Sequence, residues 1–160
     1  NEELDEVKVH IIDFGLSDII ARGGKIWGHT IDYCAYEVLG EKKPGANLDK
    51  VDIFSFGSIM FNVYFRTSFT NYFVKRFPPK SQQGQEKFSA TVRACFKKEK
   101  KAKTLQKSIN QCFQELPRNN LVSGKLLTLI NKCLSFNPQN RPRAFDLFQA
   151  LQKIFDEEYL

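Results

Sequence analysis

Val7-Lys8-Val9-His10-Ile11-Ile12-Asp13-Phe14-Gly15, closed downstream by Ala35-Tyr36-Glu37, is the stretch whose reading decides the fold of this chain. Val7, Val9 and Ile11 alternate with Lys8 and His10, the period-2 pattern of a half-buried strand, and the run stops at Asp13. The acidic residues ahead of it (Glu2, Glu3, Asp5, Glu6) predict a short β hairpin at the N-terminus that leads into this strand. A carboxylate at a strand end is a hard oxygen ligand suited to Mg²⁺, which completes its octahedron with phosphate oxygens and water. Gly15 lets the chain turn sharply behind it.

Three further blocks follow: Thr30-Ile31-Asp32-Tyr33-Cys34-Ala35-Tyr36-Glu37, Asp52-Ile53-Phe54-Ser55-Phe56-Gly57, and Leu134-Ser135-Phe136-Asn137-Pro138-Gln139-Asn140-Arg141-Pro142. With Asp13-Phe14-Gly15-Leu16-Ser17 they resemble the protein kinase family, in which Asp-Phe-Gly opens the activation segment and Ala-Pro-Glu closes it. A lone Asp-Phe-Gly is a weak signal, since a strand-end turn looks the same. Four blocks in family order span nearly the whole chain.

The resemblance implies a mainly α fold, the C-terminal lobe of the kinase α+β architecture, with residues 1–160 as one partial domain beginning just after the catalytic loop. It implies that residues 13–37 are the activation segment, that Asp13 is the metal ligand, and that Asp13, Phe14 and Gly15 lie on the ATP side. Thr30 matches the threonine that faces the substrate and bonds to the catalytic Asp; a turn-capping Thr is the alternative. Glu37 and Arg141 match a buried ion pair, against the alternative of two solvated surface charges. Asp52 matches the carboxylate that braces the catalytic-loop backbone, although a plain helix cap gives the same local pattern.

The chain departs from the family at Tyr36, which replaces a proline that would preset φ, so the substrate-side loop is expected to be set less firmly. Phe54 stands for the usual Trp, and Arg143 for a hydroxyl residue at a helix start. The Gly-rich phosphate loop, the strand Lys with its helix Glu, and the catalytic-loop His-Arg-Asp with its later Asn are not in the sequence. Asn1 is followed by Glu2-Glu3-Leu4 rather than an apolar run, and it does not fit the metal-binding Asn. The chain opens without Met, and the expectation is a fragment of a longer protein.

The implied function is part of a protein kinase, Ser/Thr or tyrosine-kinase-like, that transfers the ATP γ-phosphate to Ser/Thr hydroxyls of a protein substrate. No catalytic residue of that reaction lies in the chain, ATP and Mg²⁺ belong to the complete parent domain, and residues 1–160 alone are expected to be inactive. The second reading is a non-catalytic, kinase-derived binding module for an acidic partner.

At 160 residues with 42% hydrophobic content, the chain has the length and apolar share of one cored domain. Net charge is +6, but residues 66–120 carry thirteen Lys or Arg against three Glu, and the remainder is net acidic. Such a segment attracts acidic partners, so an acidic protein is the partner expected there. Its aromatic and basic residues also interleave between Arg66 and Gly84, as a nucleic-acid platform would require, but no recognised binding motif accompanies them, and nucleic acid is not favoured.

Cys34, Cys95, Cys112 and Cys133 lack paired zinc spacing and read as reduced core thiols, so the expected compartment is the cytoplasm, with the nucleus as the alternative. The longest apolar run, Ile53 to Phe65, is too short to span a bilayer.

Helices are predicted from periodicity. Asp49 reads as an N-cap ahead of a central helix that is apolar on most faces and therefore buried. Phe88, Val92, Cys95 and Phe96 form one amphipathic set, and Leu105, Ile109, Cys112, Phe113 and Leu116 another, around the charged run 97–103 that suggests a solvated face or an insertion. Residues 66–120 thus read as a basic helical segment. Ser123 caps a helix over Leu126–Leu134, and a last helix after Pro142 presents Phe145, Phe148, Leu151, Ile154 and Phe155 before an acidic end expected to fray.

Overall fold

The computed structural model describes residues 10, 31–40, 48–76, 99–116 and 123–158. Among them every regular element is helical, and the order is a 3₁₀ turn at Ile31–Tyr33, α1 (Tyr36–Gly40), a 3₁₀ turn at Leu48–Lys50, α2 (Val51–Phe65), α3 (Phe69–Arg76), α4 (Glu99–Gln114), α5 (Gly124–Cys133), a 3₁₀ turn at Pro138–Asn140 and α6 (Ala144–Glu158).

The expected N-terminal β hairpin is therefore corrected: the described residues contain no strand, and their fold is all-α. His10, the one described residue of the alternating run, is exposed and in no regular element. An isolated two-stranded hairpin is marginal and needs a third strand or a helix to pack on. Three alternating apolar residues are too short a pattern to specify one. The rest of that run lies outside the described residues.

The core is built around α2. One of its sides packs on α5 so closely that a Cβ added at Gly57 would stand 2.6 Å from Cβ of Cys133, inside any real contact. At its C-terminal end Phe61 is fully buried and its ring meets those of Phe65, Phe69, Tyr72 and Phe113 at centroid distances of 4.6 to 5.9 Å. Phe69 stacks on Phe113 at 5.6 Å, tying α3 to α4. The amphipathic set on α4 is inward as the spacing requires, with Leu105, Ile109, Cys112 and Phe113 buried. Its predecessor over residues 88–96 lies outside the described residues. The charged run contributes the start of α4, which begins at Glu99.

Helix ends follow local chemistry. Ser123 caps α5, its hydroxyl accepting from Leu126 N–H at 3.1 Å. Asn137 caps the next 3₁₀ turn, its side chain accepting from Gln139 N–H at 3.0 Å. Arg66 ends α2 in the left-handed region (φ 52°, ψ 31°), and its N–H reaches Asn62 O at 2.8 Å.

Four expectations change. Asp49 is not the cap of α2: the 3₁₀ turn runs straight into the helix, and the N-cap position falls on Lys50 with no side-chain cap bond. Nor is α2 buried all round, because Phe56, Ile59 and Val63 are exposed on one face. On α6, Leu147 and Ile154 face the core while Phe145, Phe148 and Phe155 are exposed, since one helix side against α5 accommodates only part of a wide apolar arc. The acidic end is helical to Glu158, and Glu157 pairs with Lys125 at 2.6 Å.

Candidate functional site

The described residues with the densest polar network are Glu37, Lys50 and Arg141, all buried. Glu37 enters from α1, whose Tyr36 ring sits 4.8 Å from Phe54 and 5.5 Å from Phe136. Arg141 follows the Pro138–Asn140 turn. Its guanidinium meets the carboxylate as a fork, Nη1 to Oε1 at 2.6 Å and Nη2 to Oε2 at 2.8 Å. Nε donates to Ser135 O at 3.0 Å, Nη1 also to Lys50 O at 2.9 Å, and Nη2 makes a longer contact with Phe136 O at 3.5 Å. The guanidinium also lies 5.1 Å from the Phe54 ring centroid, a cation–π distance.

A buried charge is stable only when its donors are used, and this fork uses every direction it has. Lys50 completes the arrangement by returning the bond: its Nζ donates to Arg141 O at 2.9 Å while its own carbonyl accepts from Arg141.

A second set of bonds fastens the 31–33 turn. Ser58 Oγ and Thr70 Oγ1 both donate to Asp32 O, at 3.1 and 3.3 Å, and Ser55 Oγ donates to Tyr33 O at 2.9 Å. Asn62 Nδ2 donates to the Tyr33 hydroxyl at 2.7 Å. The turn and α1 are thus held from two sides, by hydroxyls of α2 and α3 and by the Arg141 clamp. Tyr36 opens α1 and its ring is core, where a proline ring would only preset φ; the loop ahead of residue 31 lies outside the described residues. Burial pushes the Tyr36 phenol far above the usual range.

Of the residues singled out from sequence, Glu37 and Arg141 are brought together. Asp52 lies in the first turn of α2 but is exposed, so no buried carboxylate is left seeking a partner there. Asp13, Phe14, Gly15 and Thr30 lie outside the described residues. Sequence reasoning missed Lys50 and the hydroxyl set. A signal existed for the latter: Ser55, Ser58 and Asn62 recur at i, i+3, i+7 and make the one polar seam in an otherwise apolar helix.

The chemistry available here is that of a clamp. Burial pushes the Cys34 and Cys133 thiols up to about 12 and that of Cys112 to about 11, so these three stay protonated at neutral pH and are poor nucleophiles. Among the described residues no group of three His, Cys, Asp or Glu side chains is placed to hold a metal ion. They also supply no phosphate-binding set of their own, so ATP and Mg²⁺ are matters of family context. No described helix is long and apolar enough to cross a membrane.

The family model described as the protein kinase domain matches residues 2–155. The chain belongs to the protein kinase domain family. The comparisons with curated proteins and with solved structures each returned no match. Within this kinase-family chain the clamp joins α1 to the loop before α6.

Proposed function

We propose that residues 1–160 form the C-terminal lobe of a protein kinase domain, with residues 13–37 as its activation segment. In a complete domain the protein transfers the γ-phosphate of ATP to Ser/Thr hydroxyls of a protein substrate in the cytoplasm. The observation that carries the reading is the buried, forked Glu37–Arg141 pair across 104 residues of sequence, in a chain matched by the kinase family model over 2–155. Asp13 would hold Mg²⁺, which supplies charge neutralisation at the phosphates when bound.

Phosphoryl transfer depends on positioning and preorganised charge. The part played by the described residues is positioning. Arg141 and Lys50 fix the end of the activation segment, and the hydroxyls of Ser55, Ser58 and Thr70 keep the 31–33 turn, next to Thr30, on α2 and α3. Because the sequence holds no Gly-rich loop, strand Lys or catalytic-loop Asp, residues 1–160 alone transfer no phosphate.

The test has two arms. The purified chain, incubated with Mg-ATP and a basic protein substrate, should give no phosphorylation above blank; activity abolished by Asp13→Ala would overturn the reading of the chain as inactive alone. The endogenous protein, detected with an antibody to residues 97–120, should have a mass well above 18.5 kDa. A product at 18.5 kDa would favour the second reading, a non-catalytic module that holds an acidic protein. That reading draws on the exposed Lys103 and Lys107 of α4 and the basic excess over 66–120.

A further inference from the structure

Helices α5 and α6 enclose a groove of about 370 Å³ at the surface of the molecule. On each helix its lining positions fall at i, i+3, i+4 and i+7, starting from Lys125 on α5 and from Ala150 on α6, so each contributes one face of two turns. The floor is apolar. Leu129 and Ile154 are buried there, and the short side chain of the half-buried Ala150 leaves the hollow open. Three ammonium groups stand on the rim, those of the exposed Lys125, Lys132 and Lys153.

This groove is separate from the exposed phenylalanines of α6. At 3.6 residues per turn, Lys153 and Glu157 stand about 140–180° around the helix from Phe148 and Phe155. The far side of α5 is taken by α2, where Cys133 packs on Gly57. Whatever packs on those phenylalanines therefore leaves the groove open.

The charges say what it fits. The lining sets three ammonium groups against one carboxylate, Glu157. Glu157 lies 2.6 Å from Lys125 and 3.8 Å from Lys153, and Glu158 reaches Lys125 at 4.0 Å. The start of α5 is thus beside the end of α6, and Lys132, at the other end, has no carboxylate partner among the described residues. Thr128, the remaining polar lining group, has its hydroxyl committed to Gly124 O at 2.8 Å. Glu157 accordingly shows the kind of group the rim holds, and positive charge is left over for more of them. Lys125 and Lys132 are seven residues apart, about 10.5 Å along the helix, which three residues of extended peptide span. No aromatic ring lines the groove, so the bases of a nucleic acid have nothing to stack on. Its apolar groups are recessed beneath the lysines, whereas a membrane-binding face presents them outward.

We propose that the α5–α6 groove docks an acidic peptide segment of a partner protein, seating one apolar side chain on Ala150 between carboxylates that meet Lys132 at one end and Lys125 with Lys153 at the other. The incoming carboxylate replaces Glu157 on Lys125 and Lys153, so Glu157 is a built-in competitor. The proposal rests on α5 and α6 alone and is independent of the kinase reading. It is also distinct from the basic excess over 66–120.

Fluorescence anisotropy tests it, with the 160-residue chain titrated into a fluorescein-labelled peptide in which glutamates flank a central leucine. Binding should be saturable and weaken as salt rises. Lys132→Glu should weaken it by about 5-fold or more, and so should Ala150→Leu, which fills the hollow without changing charge. Glu157→Gln should tighten it by about 2-fold or more, because the competing carboxylate is gone. Replacing the leucine of the peptide with glycine should weaken binding, and Lys103→Glu with Lys107→Glu on α4 should leave it unchanged. Should Ala150→Leu alter the helical circular dichroism, Lys132→Glu, at an exposed position, carries the test by itself.

An absence of saturable binding would overturn the proposal. So would binding that is indifferent to Lys132→Glu, to loss of the leucine or to salt, or that weakens in Glu157→Gln. Binding lost in the α4 variant instead would move the acidic partner to the 66–120 segment. A single-stranded oligonucleotide that binds more tightly than the peptide, with the same dependence on Lys132, would overturn the choice of a peptide.

Discussion

Arg141 meets Glu37, and Lys125 meets Glu157, at the same 2.6 Å, yet the two pairs have little else in common. The first pair has side chains 0% and 8% exposed, and the second 60% and 41%. In water a charge pair at this distance is screened, competes with hydration and costs side-chain freedom, so exposed pairs contribute little. In the interior each charge has already lost its water, and the pair persists because the fork and the carbonyls of Ser135 and Lys50 replace that hydration. The lesson is that distance alone does not rank the interactions that hold this molecule. What ranks them is what each group would be left with after its partner is removed.

The largest expected effect is at the buried pair. Arg141→Ala strands the Glu37 carboxylate and frees the Ser135 and Lys50 carbonyls, and should lower unfolding stability by about 3–5 kcal/mol in urea titration. A loss below about 1 kcal/mol would erase the difference between the two pairs. Replacing both partners with apolar residues of similar size, Glu37→Leu with Arg141→Met, should cost less than the two single changes summed, which a double-mutant cycle would read directly.

Gly57→Ala asks whether burial sets the scale without any charge. Its new methyl would overlap Cys133 Cβ, and a loss of about 1–3 kcal/mol is expected from the urea midpoint. Lys50→Met keeps the buried stem but leaves Arg141 O without its donor, and about 1–3 kcal/mol should be lost. If Lys50→Met is silent, the clamp is the fork alone.

At the surface, Lys125→Ala and Arg76→Ala should leave the unfolding midpoint within experimental scatter, with any residual difference shrinking in high salt. Smaller still is a pH effect. Hydrogen bonds from Gln111 and Arg76 lower the pKa of Glu115, and a bond from Lys125 lowers that of Glu157, below the ordinary 4.5. A lowered carboxylate pKa gives stability that is present above the unfolded value and lost as pH falls through the folded one. Below about pH 4.5 the wild type should therefore lose slightly more stability than Arg76→Ala or Lys125→Ala, measured as the thermal midpoint against pH.

Much of the helical architecture was legible in the sequence because short-range chemistry writes it. Ser123 caps α5 as a hydroxyl before an apolar repeat should, and Leu105, Ile109, Cys112 and Phe113 recur at the spacing that puts them on one buried face. The same reasoning overreached where the pattern was short or the helix was apolar all round. Three alternating residues suggested a hairpin that the all-α described fold lacks, and the apolar continuity of α2 suggested complete burial while Phe56, Ile59 and Val63 stand exposed.

What the sequence determined by itself is the family of the chain, through four ordered blocks, together with the central helix, the Ser123 cap of α5 and the buried face of α4. These are local properties, fixed by residue order along the backbone. Tertiary structure alone decided that Lys50 is buried and bonded across to Arg141, that Tyr36 is core, and which face of α2 meets α5 through Gly57 and which is left to solvent. Those outcomes depend on groups 76 to 104 residues apart sharing one small volume, where desolvation makes each polar atom find a partner, and no periodicity in the chain records that meeting.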